Sequence, residues 1–214
     1  MTRSEATPIP PALLAGALCL DFANTTEWHA SARPHESLTS YEDLLAWSRR
    51  ACLLDAASAE RLLREARRRP GAARVVLRRA TGLREIIYRV VVRLLRGGRP
   101  EPADLGAFNR ALSSSLRRSR VVAERGGLAW TWVRDDRALD AMLWPIVESA
   151  AELVTSARRR RIGQCADDRG CGWLFLDTTR NRSRRWCAMG DCGNRAKARR
   201  HYQRTHGRRA TRRS

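Results

Sequence analysis

Four cysteines near the C-terminus constrain this chain more than any other feature. They fall in two pairs within "CADDRGCGWLFLDTTRNRSRRWCAMGDCGNR", spaced Cys165-x5-Cys171-x15-Cys187-x4-Cys192. A strand-like "RRIGQC" leads into the first pair and "GWLFLD" (172–177) leaves it, so each pair reads as a hairpin-like knuckle. Trp173 and Phe175 alternate there with Leu174 and Leu176, and one of these sets can cover a small core. A segment of roughly 40 residues cannot bury enough surface to fold unaided. A structural zinc site supplies on the order of 10–16 kcal/mol of apparent binding free energy, and in so small a module that is folding free energy. Four thiolates also close the tetrahedron and leave no position for a catalytic water. The expectation is therefore one structural Zn2+ per chain on Cys165, Cys171, Cys187 and Cys192. Both gaps exceed the usual Cys-x2-Cys knuckle, so disulfide or redox pairing is one alternative. A mixed site of Cys187, Cys192, His201 and His206 is another. Its cysteine-to-histidine gap is shorter than the usual ~12 residues, and it would strand Cys165 and Cys171.

Charge collects around the same segment. The 214 residues carry a formal net charge of +20. Arginine supplies all but one of the 42 basic residues, the exception being Lys197. Such a skew follows from a G+C-rich coding sequence, so its distribution matters more than its size. Residues 1–157 hold a net +6, and residues 158–214 hold +14. Codon usage acts evenly along a chain and does not explain that concentration, whereas a polyanionic partner does. After Cys192 the sequence "GNRAKARRHYQRTHGRR" favours a helix up to Gly207, with Arg195, Lys197, Arg199, Arg200 and Arg204 around most of its circumference. Only Ala198 and Tyr202 offer an apolar stripe, so this is no core helix. It can neutralise phosphates or lie in a groove with side chains at base edges. Arg180, Arg182, Arg184 and Arg185 add a second basic face on the preceding loop.

The rest of the chain reads as mainly helical. Residues 1–11 carry three prolines and form a loose N-terminus. "ALCLDFANTT" (17–26) is a compact apolar segment, strand or helix, with Asp21 and Asn24 set into it. Helices are expected over 39–54 (capped by Thr39 or Ser40, with Leu44, Leu45, Trp47 and Cys52 inward), 58–69, 72–96, 101–118 and 137–156. Pro70-Gly71 should break the chain, Gly97-Gly98 should end the long helix, and Leu105, Phe108 and Leu112 should form one apolar stripe. Pro145 kinks the last of these helices or marks its first turn. Two β-rich runs around Arg125-Gly126-Gly127 signal a hairpin within 119–136. Cys19 and Cys52 read as small core residues, and His29 and His35 as surface or capping groups. The fold class is thus a mainly α domain with a small β-hairpin, plus a C-terminal four-cysteine module ending in a basic helix. The divisions fall at 1–11, 12–157, 158–206 and a basic, disordered tail at 207–214.

No apolar run approaches the ~18 residues of a transmembrane helix. "PALLAGALCL" (11–20) lacks the small residue that a lipoprotein signal needs before its cysteine, and Asp21 closes the run. A cytoplasmic location is expected, and that reducing compartment favours metal over disulfide.

"CGWLFLDTTRNRSRRWCAMGDCGNRAKARRH" closely resembles the CGNR zinc fingers, whose name is read here as Cys192-Gly193-Asn194-Arg195. The likeness runs through Phe175, Asp177, Arg180, Asn181, Arg185, Trp186 and Cys187. "ALCLDFANTT" followed by "YEDLLAWSRRACLLD" resembles the companion ABATE domain, described as a stress-induced transcription regulator. The resemblance implies zinc on Cys165, Cys171, Cys187 and Cys192 and a nucleic-acid-binding role in bacteria. The expected function is a DNA-binding transcription regulator, with Arg180, Arg182, Arg184, Arg185, Asn194, Arg195, Lys197, Arg199, Arg200 and Arg204 on nucleic acid. Asn194 and Arg195 are the first candidates for base readout. The N-terminal domain would sense a signal or form a homodimer. RNA is the alternative partner, through phosphate contacts and stacking on Tyr202, Trp173 or Trp186. A different class places a small molecule near Asp21, Asn24 and Trp28. No acid–base or nucleophile constellation supports catalysis, and no enzyme is expected.

Overall fold

Helix boundaries in this chain are set by hydrogen bonds that a few side chains supply. The computed structural model describes residues 14–210 apart from 125, 134 and 136. The segment 1–11 and the last residues of the expected tail, 211–214, lie outside the described residues. "ALCLDFANTT" resolves as a short helix, α1 (Leu18–Ala23), with Cys19, Leu20, Phe22 and Ala23 buried. Its Asp21 carboxylate accepts the Ala15 N–H at 3.0 Å. A minimal antiparallel pair follows, β1 (Thr26–Glu27) with β2 (His35–Glu36). Ser40 then starts α2 (Tyr41–Arg50) through a reciprocal cap: its hydroxyl accepts the Asp43 N–H, and the Asp43 carboxylate accepts the Ser40 N–H. Leu44, Leu45 and Trp47 face inward as expected, but Cys52 does not. It follows the helix end, where the chain turns left-handed (φ 57°), and that turn carries the thiol outward to solvent.

Asp55, rather than Ser58, opens α3 (Ala56–Arg68) by accepting the Ser58 N–H at 2.6 Å. Pro70 does not break the chain. It occupies the first position of α4 (Pro70–Leu95), where its missing N–H would have had no helical partner. The two helices are therefore separated by Arg69 alone. α4 buries Val76, Ala80, Leu83, Ile87, Val90 and Val91 along one face. It ends where the Gly98 N–H reaches the Arg93 carbonyl and the Gly97 N–H the Leu94 carbonyl. α5 (Pro102–Leu116) buries Phe108 and packs Leu112 on the core, but Leu105 is 45% exposed. Asp104 takes the inward place in that first turn, paired with Arg89 at 2.6 Å, so its neighbour Leu105 faces out.

β3 (Ser119–Glu124) and β4 (Gly127–Trp132) form the expected hairpin, in register from Ser119 opposite Trp132 to Glu124 opposite Gly127. α6 (Leu143–Thr155) carries Pro145 in its first turn and buries Trp144, Ile146, Val147, Ala150 and Leu153. After a 3-10 turn at Ala157–Arg161 comes an antiparallel pair, β5 (Ile162–Gln164) with β6 (Leu174–Leu176). A π turn at Met189–Gly193 then leads into α7 (Asn194–Ala210), which continues through Gly207. Among the described residues, no helix is long and apolar enough to cross a membrane.

β6 is buried on both faces, and this decides how the two parts of the chain meet. Leu174 and Leu176 join Ile162 in the helical core, whereas Phe175 points the other way, into the cysteine cluster. The Asn24 amide pairs with the β6 backbone like an extra strand: Nδ2 donates to the Leu174 carbonyl and Oδ1 accepts the Leu174 N–H, both at 2.8 Å. The N–H groups of His29 and Ala30 donate to the carbonyls of Cys171 and Gly170. That approach needs glycine. A Cβ on Gly170 would lie 2.7 Å from Ser31, and one on Gly172 would lie 2.7 Å from Ala30.

Candidate metal centre and basic surface

The two knuckles bring four sulfurs to one point. The ligand atoms of Cys165, Cys171, Cys187 and Cys192 all lie within 4.8 Å of one another, and all four residues are buried. The Cys171–Cys187 separation is 3.8 Å and the Cys187–Cys192 separation 3.6 Å. A disulfide requires about 2.05 Å. A tetrahedron of Zn–S bonds near 2.3 Å has edges of about 3.8 Å, so the spacing fits zinc and not sulfur–sulfur bonding. Electrostatics agrees. Hydrogen bonds from the Cys171 and Cys187 thiols drive the Cys165 thiol far down. Hydrogen bonds to Cys165 and Cys171 drive Cys187 up, and burial together with the charge of Cys171 drives Cys192 up. Sulfurs this close resist carrying several negative charges unless a cation sits among them. The donor set therefore fits one zinc ion, whose contribution is structural, because four thiolates fill its coordination sphere. The mixed cysteine–histidine alternative would leave two of these gathered thiols unused.

Aromatic and charged groups enclose the sulfurs. Phe175, Trp173, Trp186 and, from the N-terminal part, Trp28 pack around them. Trp28 holds a left-handed backbone (φ 54°), and the guanidinium groups of Arg169 and Arg195 approach its ring at 5.0 Å and 5.1 Å. Arg195 is committed to the centre: Nη2 donates to the Cys192 sulfur at 2.8 Å, while other nitrogens meet Asp191 and Asp167. Four thiolates around a dication keep a net charge of −2, and a guanidinium on one sulfur offsets part of it. Asp167 is the hub of this shell. Burial works against its charge, but the Arg169 N–H and the Arg199 guanidinium hold its carboxyl far below the ordinary range. Spacing alone did not single out Asp167 or Arg169; the only local signal is an aspartate two residues before Arg169, poised to accept its N–H.

The ten basic and polar residues expected on nucleic acid divide into two groups. Arg184 is turned inward, donating to the carbonyls of Leu14, Leu176, Trp186 and Cys187, and lies 4.4 Å from the Phe175 ring. Arg195 belongs to the metal shell, and Arg199 pairs with Asp167 and Asp168. Arg180, Arg182, Arg185, Lys197, Arg200 and Arg204 are exposed, and none has a carboxylate partner among the described residues. Arg185 and Arg200 flank Trp186 at 5.3 and 5.8 Å from its ring. The exposed Asn194 donates to the Gly190 carbonyl at 3.2 Å. Asp177 shapes the loop bearing the first three arginines by accepting the hydroxyl and N–H of Thr179 and the N–H of Arg184.

Asp21, Asn24 and Trp28 are each engaged within the fold: Asp21 on Ala15, Asn24 on Leu174 and Trp28 against two arginines. His29 departs from its expected surface role. Its ring is buried, stacks on Tyr88 at 3.6 Å and bonds to Glu85 at 3.0 Å. His35 is exposed, as expected.

Residues 16–157 match the family ABATE, described as "Putative stress-induced transcription regulator", and residues 161–205 match the CGNR zinc finger. Both descriptions are of regulator and zinc-finger types rather than enzymes. No curated protein matches the sequence.

Proposed function

Because this chain belongs to the ABATE family and carries a CGNR zinc finger, we propose that it is a zinc-dependent DNA-binding transcription regulator. In this reading the finger holds duplex DNA and the helical domain receives a signal. The observation that carries it is the set of six cations left without carboxylate partners among the described residues. Arg180, Arg182 and Arg185 stand on the loop, and Lys197, Arg200 and Arg204 on α7, with Arg185 and Arg200 meeting at the Trp186 ring. A buried metal shell that consumes Arg184, Arg195 and Arg199 for positioning but leaves these six outward suits a long polyanion. Phosphates position such a protein, and any base reading falls to α7 or to the exposed Asn194 amide.

Zinc-loaded protein should be titrated with duplex DNA, single-stranded DNA and RNA across a salt series. Six phosphate contacts predict a slope of log K on log salt near about −5 on duplex DNA. Tighter binding to single strands or RNA would transfer the function to RNA, with bases stacking on the exposed Tyr202. Absence of binding to all three at low salt would overturn the nucleic-acid reading.

A further inference from the structure

We propose that the groove between α4, α5 and α6 is the ligand site of the N-terminal domain, and that its ligand is a small amphipathic anion, an apolar body bearing one carboxylate. The inference rests on reading this domain as the sensing half of the protein and names the chemistry it senses. The groove has a volume of about 560 Å³, inside the ~300–1,000 Å³ range of small-molecule sites. Leu83, Ile86, Ala111, Leu143, Trp144 and Val147 supply an apolar lining. Arg79 and Arg110 also line it, both exposed and both without a carboxylate partner among the described residues. Two other arginines of α4 are committed to carboxylates, Arg84 to Glu36 and Arg89 to Asp104. One carboxylate, Asp140, also borders the groove, which leaves it net positive. Two unneutralised guanidinium groups over an apolar floor match a carboxylate with a hydrocarbon or aromatic body.

A second observation is the glycine in the wall. Gly82 lies in the middle of α4, where glycine weakens a helix. A Cβ placed there meets nothing within 4 Å. The fold does not need glycine at this position for close packing, and its effect is to keep the groove open. The same helix continues to the finger. Arg84, Glu85 and Tyr88, one turn on, hold Glu36, His29 and the Gly172 carbonyl of the first knuckle. Occupation of the groove and the placement of that knuckle thus depend on one rigid element.

The test uses full-length, zinc-loaded protein and octanoate as the probe, by titration calorimetry, with octanol and octylamine as uncharged and cationic counterparts. Octanoate should bind and octylamine should not. Arg79→Gln with Arg110→Gln should weaken octanoate by about tenfold or more while changing octanol little. Gly82→Leu should abolish octanoate binding while zinc content is kept and thermal stability is kept or raised, which separates a filled groove from a misfolded chain. Octanoate binding undiminished by Gly82→Leu, no octanoate binding at millimolar concentration, or octylamine binding as tightly as octanoate would each overturn the proposal. Duplex binding is measured on the same samples. Its loss everywhere removes the regulator reading, while octanoate alone decides the groove.

Discussion

Arginine does different work in the two parts of this molecule. In the helical part several arginines are matched with acids. The buried Arg84 donates to both oxygens of Glu36 at 2.6 Å and to one of Glu85 at 3.0 Å. Burial raises the cost of the Glu36 charge, but the Arg84 guanidinium outweighs it and holds that carboxyl below its ordinary range. Arg89 and Arg69 meet Asp104 and Glu65 in the same way. Around the zinc centre acids are scarce: Asp167 gathers Arg169, Arg195 and Arg199, the last two also meeting Asp191 and Asp168. Arg184 makes do with carbonyl oxygens, and six further cations face outward. The same residue type therefore marks structure where carboxylates or carbonyls enclose it, and an available charge where nothing does. Net charge alone would have counted all of them as interface.

Removing the metal probes this contrast most severely. Structural zinc contributes on the order of 10–16 kcal/mol to modules of this kind. Ile162, Leu174 and Leu176 belong to the helical core, so the loss should spread beyond the finger. Cys187→Ser, or a strong chelator, should abolish stoichiometric zinc, reduce duplex affinity by more than about 100-fold and lower the unfolding midpoint of the helical domain. A helical domain that unfolds at an unchanged midpoint after zinc removal would show that the two parts do not share a core.

Paired arginine substitutions sharpen the contrast at smaller cost. Arg184→Ala should destabilise the protein by about 2–3 kcal/mol, because it strips several carbonyls of a charged donor. The salt slope of DNA binding should then stay nearly unchanged. Arg200→Ala should do the reverse, with stability within about 0.5 kcal/mol of wild type and a slope shallower by about 0.9. Arg195→Ala should weaken zinc by roughly 10–100-fold, as loss of a partner to a metal ligand does, since its guanidinium lies on the Cys192 sulfur. If Arg184→Ala and Arg200→Ala moved the same observable, the division into positioning and available arginines would fail.

These distinctions mark where sequence reasoning stopped. The helices, the hairpin and the cysteine quartet were legible because each rests on a local pattern: apolar spacing, Gly126-Gly127, or four thiols in two pairs. The sides that side chains take were less so. Leu174 and Phe175 are both apolar on one strand, and alternation cannot say which face meets zinc when both faces are buried. Cys52 sits in an apolar string, and only the left-handed turn sends it out. Pro70 reads as a break, although the same ring is compatible with a helix start, and only Arg69 separates it from the end of α3. Arg195 looked like an outward reader because its bond to Cys192 depends on how α7 leaves the π turn, which no spacing rule encodes.

The last test concerns Asp21, a buried acid in the helical part that has no arginine partner among the described residues. Burial pushes its carboxyl up from an ordinary 3.8 to about 7, and the N–H groups of Ala15 and Leu14 only partly oppose this. The folded chain therefore prefers the protonated form, whereas the unfolded chain ionises freely. Stability from this group is fully present below the unfolded value and is lost as pH rises through the folded one, so it should decline between about pH 4 and about pH 7 and level off above. Asp21→Asn stays neutral and keeps an oxygen to accept the Ala15 N–H, which removes that component. Urea midpoints taken at about pH 5 and about pH 7.5, where the thiolates still hold zinc, isolate it because zinc is common to both proteins. Wild type should lose stability relative to Asp21→Asn as pH rises across that window. Parallel behaviour of the two would mean that Asp21 is ionised in the folded chain, and that the helical part contains a buried charge without a matched partner.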